Sequence, residues 1–175
     1  MFIFILILCI PIAIILIKFD SFTKKRIDEK ECEVSINEYN AYNSLIANHV
    51  CGLPLGEDSE CKLYLNNDQI IIDSSSNIFK LDKNKILDMS IKTSSEIQNS
   101  LSGAIGGAMI LGPIGAFIGS SNIKNQLFLI IVYKSEQEEK HISFAVRNIG
   151  DRYEKTRAFF EDFKSRAIVK KEIEL

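Results

Sequence analysis

Six short runs of β-favouring residues follow one another along the polar part of the chain and restrict its fold more than any other feature. The first two runs, 61–65 and 69–73, flank the turn-forming residues 66–68, a pattern typical of a β-hairpin. The other four runs are residues 77–81, 86–92, 126–134 and 140–146. Strands that follow one another through short polar loops indicate an antiparallel barrel or sandwich.

A helix is predicted after the last strand, over residues 151–166. Asp151 is a favourable N-terminal cap, and Tyr153, Phe160 and Phe163 recur near one face at helical spacing. Aromatic residues on one helix face require burial, so this helix is expected to cover the apolar side of the sheet.

Residues 35–50 are predicted to form a short helix, because Tyr39, Tyr42 and Leu45 recur at roughly helical spacing. The glycines and the proline of residues 51–56 would end it. The charge-dense residues before it are typical of a linker, so residues 20–48 are predicted to be a linker with a short helix.

The N-terminal residues 1–17 contain no charge, and all of them except Pro11 are apolar. As a helix they would extend roughly 26 Å, close to the thickness of the hydrocarbon core of a bilayer. The absence of a basic start and of a small-residue cleavage site argues against a signal peptide. The run Leu6-Ile7-Leu8-Cys9 has a bulky Leu where a small residue is required, which likewise argues against a lipoprotein. Residues 1–19 are therefore predicted to be a transmembrane anchor.

The orientation of this anchor follows from its flanking charges, because basic residues accumulate on the cytoplasmic side of a membrane segment. No Lys or Arg precedes the segment, and four follow it closely: Lys18, Lys24, Lys25 and Arg26. The polar body is therefore expected to be cytoplasmic, at the cell membrane, after a single pass. The odd number of cysteines outside the anchor, without metal-type spacing, agrees with a reducing compartment.

A glycine-rich insertion, residues 97–123, separates the fourth and fifth predicted strands. Its residues repeat small side chains at a spacing of four, which lets helices approach closely. The residues of interest are Gly103, Gly107, Gly112, Pro113, Gly115 and Gly119. A helical hairpin is predicted, with arms 97–111 and 114–122 divided at Gly112 and Pro113. It would pack on the barrel, contact the bilayer or self-associate. The absence of a Lys-Ser or Lys-Thr pair after the glycines argues against a phosphate loop.

Three phrases of the chain together resemble a family of uncharacterised bacterial proteins. They are HVCGLPL at 49–55, CKLYL at 61–65 and LGPIGA at 111–116. The family has a pleckstrin-homology-like or GRAM-like β-barrel. The resemblance implies a seven-stranded barrel, over residues 49–167, capped by a C-terminal helix, with residues 168–175 as a tail. It would place the seventh strand near 53–55 or within a split long strand, and it brings no catalytic residues. Such domains commonly bind lipid headgroups or peptides, but the basic loop pair used for phosphoinositides is not evident between residues 66 and 69.

Charge and motif content narrow the function further. With 21 basic and 23 acidic residues, the chain lacks the basic excess of a general nucleic-acid binder. His141 is expected on the outer face of a strand, and no nucleophile elbow, zinc pattern or acid pair is recognisable. The fold expected is mainly β with α, and the function a non-catalytic, membrane-anchored binding module for a protein or lipid, without cofactor or metal. The alternative is a structural membrane protein that forms homo-oligomers through the glycine-rich hairpin.

Overall fold

The computed structural model describes residues 34–103, 108–120, 126–136 and 138–169. Internal contacts divide the chain into two units, residues 1–38 and residues 39–175. Of the first unit, residues 34–38 are described, and they are helical. Within the described ranges, no helix combines the length and the apolar content that a membrane crossing requires.

Several sequence predictions lie outside the described residues. They concern the apolar segment 1–17, the final residues 170–175, and the basic residues Lys18, Lys24, Lys25 and Arg26. The transmembrane anchor and its orientation therefore remain predictions.

The second unit is built on one seven-stranded antiparallel sheet with the order β4-β3-β2-β1-β7-β6-β5. The strands are β1 Asn43–Cys51, β2 Glu60–Leu65, β3 Gln69–Ser74, β4 Asn77–Asp82, β5 Ile86–Thr93, β6 Leu127–Ser135 and β7 Glu138–Val146. A short 3-10 helix, Lys83–Lys85, joins β4 to β5. The six predicted strands are confirmed as β2 to β7, and the predicted turn at residues 66–68 is present. In this turn the side-chain oxygen of Asn66 accepts the backbone N–H groups of Asp68 and Gln69.

The helix predicted over residues 35–50 is present only as far as residue 38, and its second half is wrong because it forms β1. This strand pairs with β2 on one side and with β7 on the other, so it lies at the centre of the sheet. Leu45 and Ala47 point into the core, and burial of these alternating residues outweighs the approximate helical spacing of the tyrosines. β1 is also the seventh strand. Residues 53–55 form an irregular loop, and the predicted boundary between residues 48 and 49 falls inside β1.

One face of the sheet carries the main core, to which all seven strands contribute alternating apolar side chains. The C-terminal helix α3, Arg152–Val169, packs on this face, as predicted. Phe159 is fully buried there and Phe163 nearly so, while Tyr153 and Phe160 are partly buried against the same core.

The opposite face of β1, β7 and β6 carries a second, smaller core. It is covered by two helices of the glycine-rich insertion, α1 Ser94–Gly103 and α2 Ala108–Ser120. The division of the predicted hairpin at Gly112 and Pro113 is wrong, because both residues lie inside α2. A proline lacks an N–H donor and usually ends a helix, but here the helix continues past it.

Candidate functional site

The insertion leaves the sheet and returns to it at a single point. β5 and β6 are paired up to Thr93 and Leu127, and Ser94 and Gln126 extend this pairing by one position. The backbone N–H of Ser94 donates to the carbonyl of Gln126 over 3.0 Å, and the N–H of Gln126 donates to Oγ of Ser94 over 3.1 Å. α1 and α2 are therefore inserted between two strands whose pairing continues up to the point of insertion.

The helix α1 begins with a capping box formed by Thr93 and Glu96. The backbone N–H of Glu96 donates to Oγ1 of Thr93, and Oε2 of Glu96 accepts the Thr93 N–H over 2.7 Å and the Thr93 hydroxyl over 2.8 Å. These bonds, the backbone one first, hold the pKa of Glu96 below its usual value. The sequence TSSE at 93–96 is the signal by which this cap could have been predicted.

Three isoleucines attach the insertion to the outer face of the sheet. Ile97 and Ile114 are fully buried, Ile118 is nearly so, and all three belong to the core that includes Phe128 of β6. The ring of Phe117 meets the ring of Phe128 edge to face, with centroids 6.3 Å apart. One side of α2 is thus fixed to the domain by apolar contacts.

The other side of α2 is exposed and contains no polar side chain among the described residues. It presents Gly112, Pro113, Ala116 and Gly119. A methyl group added at Gly112 or at Gly119 would meet no atom within 4 Å. An exposed helix face normally carries polar or charged residues, so this uncharged face is unusual for a surface in contact with water.

The glycines singled out from the sequence therefore fall into different environments. Gly112 and Gly119 lie on the exposed face, Gly115 is half-buried, and Gly103 ends α1. Gly107 lies outside the described residues. Gly112 and Gly119 do not serve close packing of α2 on the sheet, because the space beside them is open.

The loop between β1 and β2 is held in place by His49. Its Nε2 accepts the backbone N–H of Leu53 over 3.2 Å, and its Nδ1 lies 3.2 Å from the carbonyl oxygen of Gly56. Gly52 has a φ of 99°, and a Cβ there would lie 2.0 Å from the backbone oxygen of His141. The HVCGLPL phrase is thus explained by loop geometry: His49 fastens the loop, and Gly52 permits its close approach to β7.

A polar corner borders the second core where β1 ends beside β7. We define it by three residues, Cys51, His141 and Ser143. The sulfur of Cys51 lies 3.5 Å from Nε2 of His141, and Cys51 is the ladder partner of Ser143. Ile142 and Phe144 point into the main core, which confirms the predicted outward direction of His141, but the histidine is half-buried rather than exposed.

Burial governs the protonation of this corner. It raises the pKa of the Cys51 thiol, while the Ser143 hydroxyl acts in the opposite direction and the charge of Glu57 adds to the rise. Burial also lowers the pKa of His141. At neutral pH the corner therefore holds a thiol beside a neutral imidazole. Within the described ranges, no three His, Cys, Asp or Glu side chains are grouped so that they could hold a metal ion.

A comparison with models of protein families gives no match, and a comparison with curated protein sequences gives none either.

Proposed function

We propose that the protein is a non-catalytic binding module, anchored in the cell membrane by residues 1–19 with its β domain on the cytoplasmic side. The observation that carries the proposal is the exposed face of α2, where the four described outward positions, 112, 113, 116 and 119, bear no polar group. Water contact makes such a face unfavourable, and a bound protein or lipid would remove that cost. The apolar N-terminal segment supports the membrane part of the proposal.

The fold type proposed for this module is the pleckstrin-homology-like or GRAM-like barrel. Two observations support it: seven antiparallel strands in the order β4-β3-β2-β1-β7-β6-β5, and a C-terminal helix that buries Phe159 in their shared core. On this proposal α1 and α2 are an added contact surface on the outside of a common scaffold. The ligand would then bind at the insertion.

Photo-crosslinking in cells tests the proposed contact surface. A photoreactive amino acid is placed at Ala116 on the exposed face of α2, and in a matched variant at Ala158, which is exposed on α3. We expect adducts with another protein or with lipid from position 116 and none from position 158. No adduct from position 116, or equal adducts from both, would contradict the proposal. Protease protection of the domain in intact cells tests its cytoplasmic placement.

A second function, self-association through the insertion, is supported by the spacing on the same face. Gly112, Ala116 and Gly119 follow one another at intervals of four and three residues, which is the spacing that allows two helices to approach closely. If the protein self-associates in this way, the crosslinked adduct from position 116 would have twice the mass of the chain. With the photoreactive amino acid kept at position 116, Gly112→Leu with Gly119→Leu should abolish that adduct while the domain stays folded, and Ala158→Leu should not. A persisting dimer would exclude this function.

A further inference from the structure

We infer that Tyr42, Lys83 and Arg166 bind the phosphate group of a small ester or of a lipid headgroup. We call these three residues the Tyr42 site. Tyr42 packs against the main core, so the site is separate from α2, which covers the opposite face of the sheet. No sequence motif indicates it, because Lys83 follows Tyr42 by 41 positions and Arg166 lies in the C-terminal helix.

Four elements of the fold meet at the Tyr42 site. Tyr42 directly precedes β1, Lys83 begins the 3-10 helix after β4, and Arg166 lies in the last turn of α3. The fourth element is the turn between β2 and β3. The carbonyl of Asp68 accepts the backbone N–H of Lys83 over 2.9 Å, and Oδ1 of Asn67 accepts Nη1–H of Arg166 over 3.2 Å. These bonds position both basic residues before a ligand binds, which lowers the entropic cost of binding.

The ring of Tyr42 brings two positive charges close together. The guanidinium carbon of Arg166 lies 3.6 Å from the centre of the ring, and Nζ of Lys83 lies 5.1 Å from the same centre. Both distances are within the range of cation–π attraction, which offsets part of the repulsion between the two like charges. One small anion beside the ring could therefore contact both cations.

The hydroxyl of Tyr42 is the third donor of the site. Its oxygen accepts a hydrogen bond of 2.7 Å from Nζ of Lys83, and its own proton has no acceptor among the described residues. Burial raises the pKa of Tyr42, with Arg166 acting to lower it and Asp162 to raise it, so the hydroxyl keeps its proton at neutral pH. This O–H group can thus donate to an anion that the two cations attract.

This set of donors favours a phosphate group over a carboxylate. A carboxylate has one charge and two oxygens, which a single guanidinium can satisfy in a bidentate pair. A phosphate monoester has three terminal acceptor oxygens and a charge of about −1.5 to −2 at neutral pH. The Tyr42 site offers a guanidinium, an ammonium and a hydroxyl, with two positive charges in total, and this matches the phosphate in both respects.

The neighbouring carboxylates are directed to other partners. Asp162 accepts the side-chain N–H of Asn43 over 2.5 Å, and Oδ1 of Asp82 accepts the backbone N–H of Asn84 over 2.8 Å. Within the part of the chain that the structure describes, Arg166 takes part in no ion pair. A carboxylate in direct contact therefore does not neutralise its charge.

Isothermal titration calorimetry of the full chain in a neutral detergent tests the site, with glycerol phosphate as the probe. We expect Arg166→Gln to weaken binding by about tenfold or more, because a charged donor is lost. Tyr42→Phe keeps the ring and removes only the hydroxyl, so its loss should be smaller, about threefold. Arg157→Gln is the matched control, since Arg157 is exposed on the opposite side of α3 and its loss should leave the affinity unchanged.

A second probe distinguishes the two sources of the phosphate. Dihexanoyl phosphatidate carries the same monoester on a short lipid, and dihexanoyl phosphatidylcholine is the reference for partition into the detergent. Tighter binding of the phosphatidate than of glycerol phosphate would assign the site to a lipid headgroup. Equal binding of the two would assign it to a soluble phosphate ester.

The proposal is overturned if wild type binds no glycerol phosphate at millimolar concentration. It is also overturned if Arg166→Gln binds as tightly as wild type, or if Arg157→Gln loses as much affinity as Arg166→Gln, with circular dichroism confirming the fold of each variant. A further measurement requires no variant to fold. Glycerol phosphate should shift the amide NMR signals of wild type most strongly at residues 42, 83 and 166, and shifts centred elsewhere would exclude the Tyr42 site.

Discussion

The helices on the two faces of the sheet differ in the polarity of their exposed faces. α3 buries Phe159 in the main core and exposes Glu154, Arg157 and Lys164, so it has the apolar and polar faces of an ordinary surface helix. α2 buries Ile114 and Ile118, but the exposed face formed by its described side chains has no polar group. The exposed face of the C-terminal helix is thus suited to contact with water, whereas the exposed face of α2 is suited to contact with another molecule.

The two helices also differ in how they are tied to the sheet. The last turns of α3 are held by polar contacts: Asp162 accepts the side-chain N–H of Asn43 over 2.5 Å, and the guanidinium of Arg166 lies 3.6 Å from the centre of the Tyr42 ring. Tyr42 also accepts a hydrogen bond of 2.7 Å from Lys83. The insertion has a polar tie at Ser94 and Gln126, where it leaves the sheet and returns to it. We therefore expect substitutions in the core-facing side of α3 to destabilise the whole domain. Substitutions in α2 should destabilise only the insertion.

The largest effect is expected from Phe159→Ala. The ring is fully buried in the core shared by all seven strands, so its removal should lower the free energy of unfolding by about 3–5 kcal/mol. Urea unfolding followed by circular dichroism measures this loss. Phe160→Ala is the matched control, since this ring is only partly buried and its loss should be clearly smaller. Equal losses would mean that α3 does not close the core as described.

Ile114→Ala is expected to act locally. The side chain is fully buried, and its truncation should cost about 2–5 kcal/mol within the small second core. Because the insertion lies between two strands that are paired up to the point of insertion, the amides of α2 should exchange faster while those of β2 and β3 stay protected. Hydrogen exchange measures both, and Ile114→Val should give a smaller change in the same direction. Faster exchange throughout the sheet would show that the insertion is part of the main fold.

The same distinction explains what the sequence could predict. Six strands and α3 were found because their alternating or aromatic patterns coincide with burial on one face, as at Leu63 and Phe163. β1 was missed because one of its two neighbours, β7, comes from a distant part of the chain, although the other, β2, follows it directly. Leu45 and Ala47 have inward positions only once those neighbours are in place, so local spacing alone gave a helix.

The candidate sites show the same limit. The small-residue spacing of Gly112, Ala116 and Gly119 is visible in the sequence, but which side of α2 they occupy depends on where Ile114 and Ile118 pack. The pairing of Cys51 with His141 has no sequence signal at all. It depends on the irregular register of β1 and β7 between His49 and Cys51, which only the folded sheet defines.

A smaller effect on stability should come from substitution of two glycines, one inside α2 and one just before α3. Gly119→Ala adds a methyl group that meets no atom within 4 Å in a helical position, so it should stabilise the domain by about 0.5–1 kcal/mol. Gly150→Ala, just before α3, also has open space, but its φ of 59° is unfavourable for alanine and should destabilise the domain. Thermal unfolding compares the two. If both variants moved in the same direction, backbone conformation would not be the cause.

The smallest effect is expected at the cap of α1, where Glu96 is exposed. Its lowered pKa means that the unfolded chain binds a proton at this carboxyl more readily than the folded chain does. The stabilisation is therefore fully present above the ordinary value of 4.5 and is lost as the pH falls through the lower folded value. Urea unfolding should find Glu96→Gln slightly less stable than wild type at neutral pH, and the difference should disappear in acid. Glu154→Gln, which removes an acidic residue from the first turn of α3, is the matched control for the loss of a charge near a helix N-terminus. A stability difference for Glu96→Gln that is the same at both pH values would show that its amide, rather than its lost charge, weakens the cap.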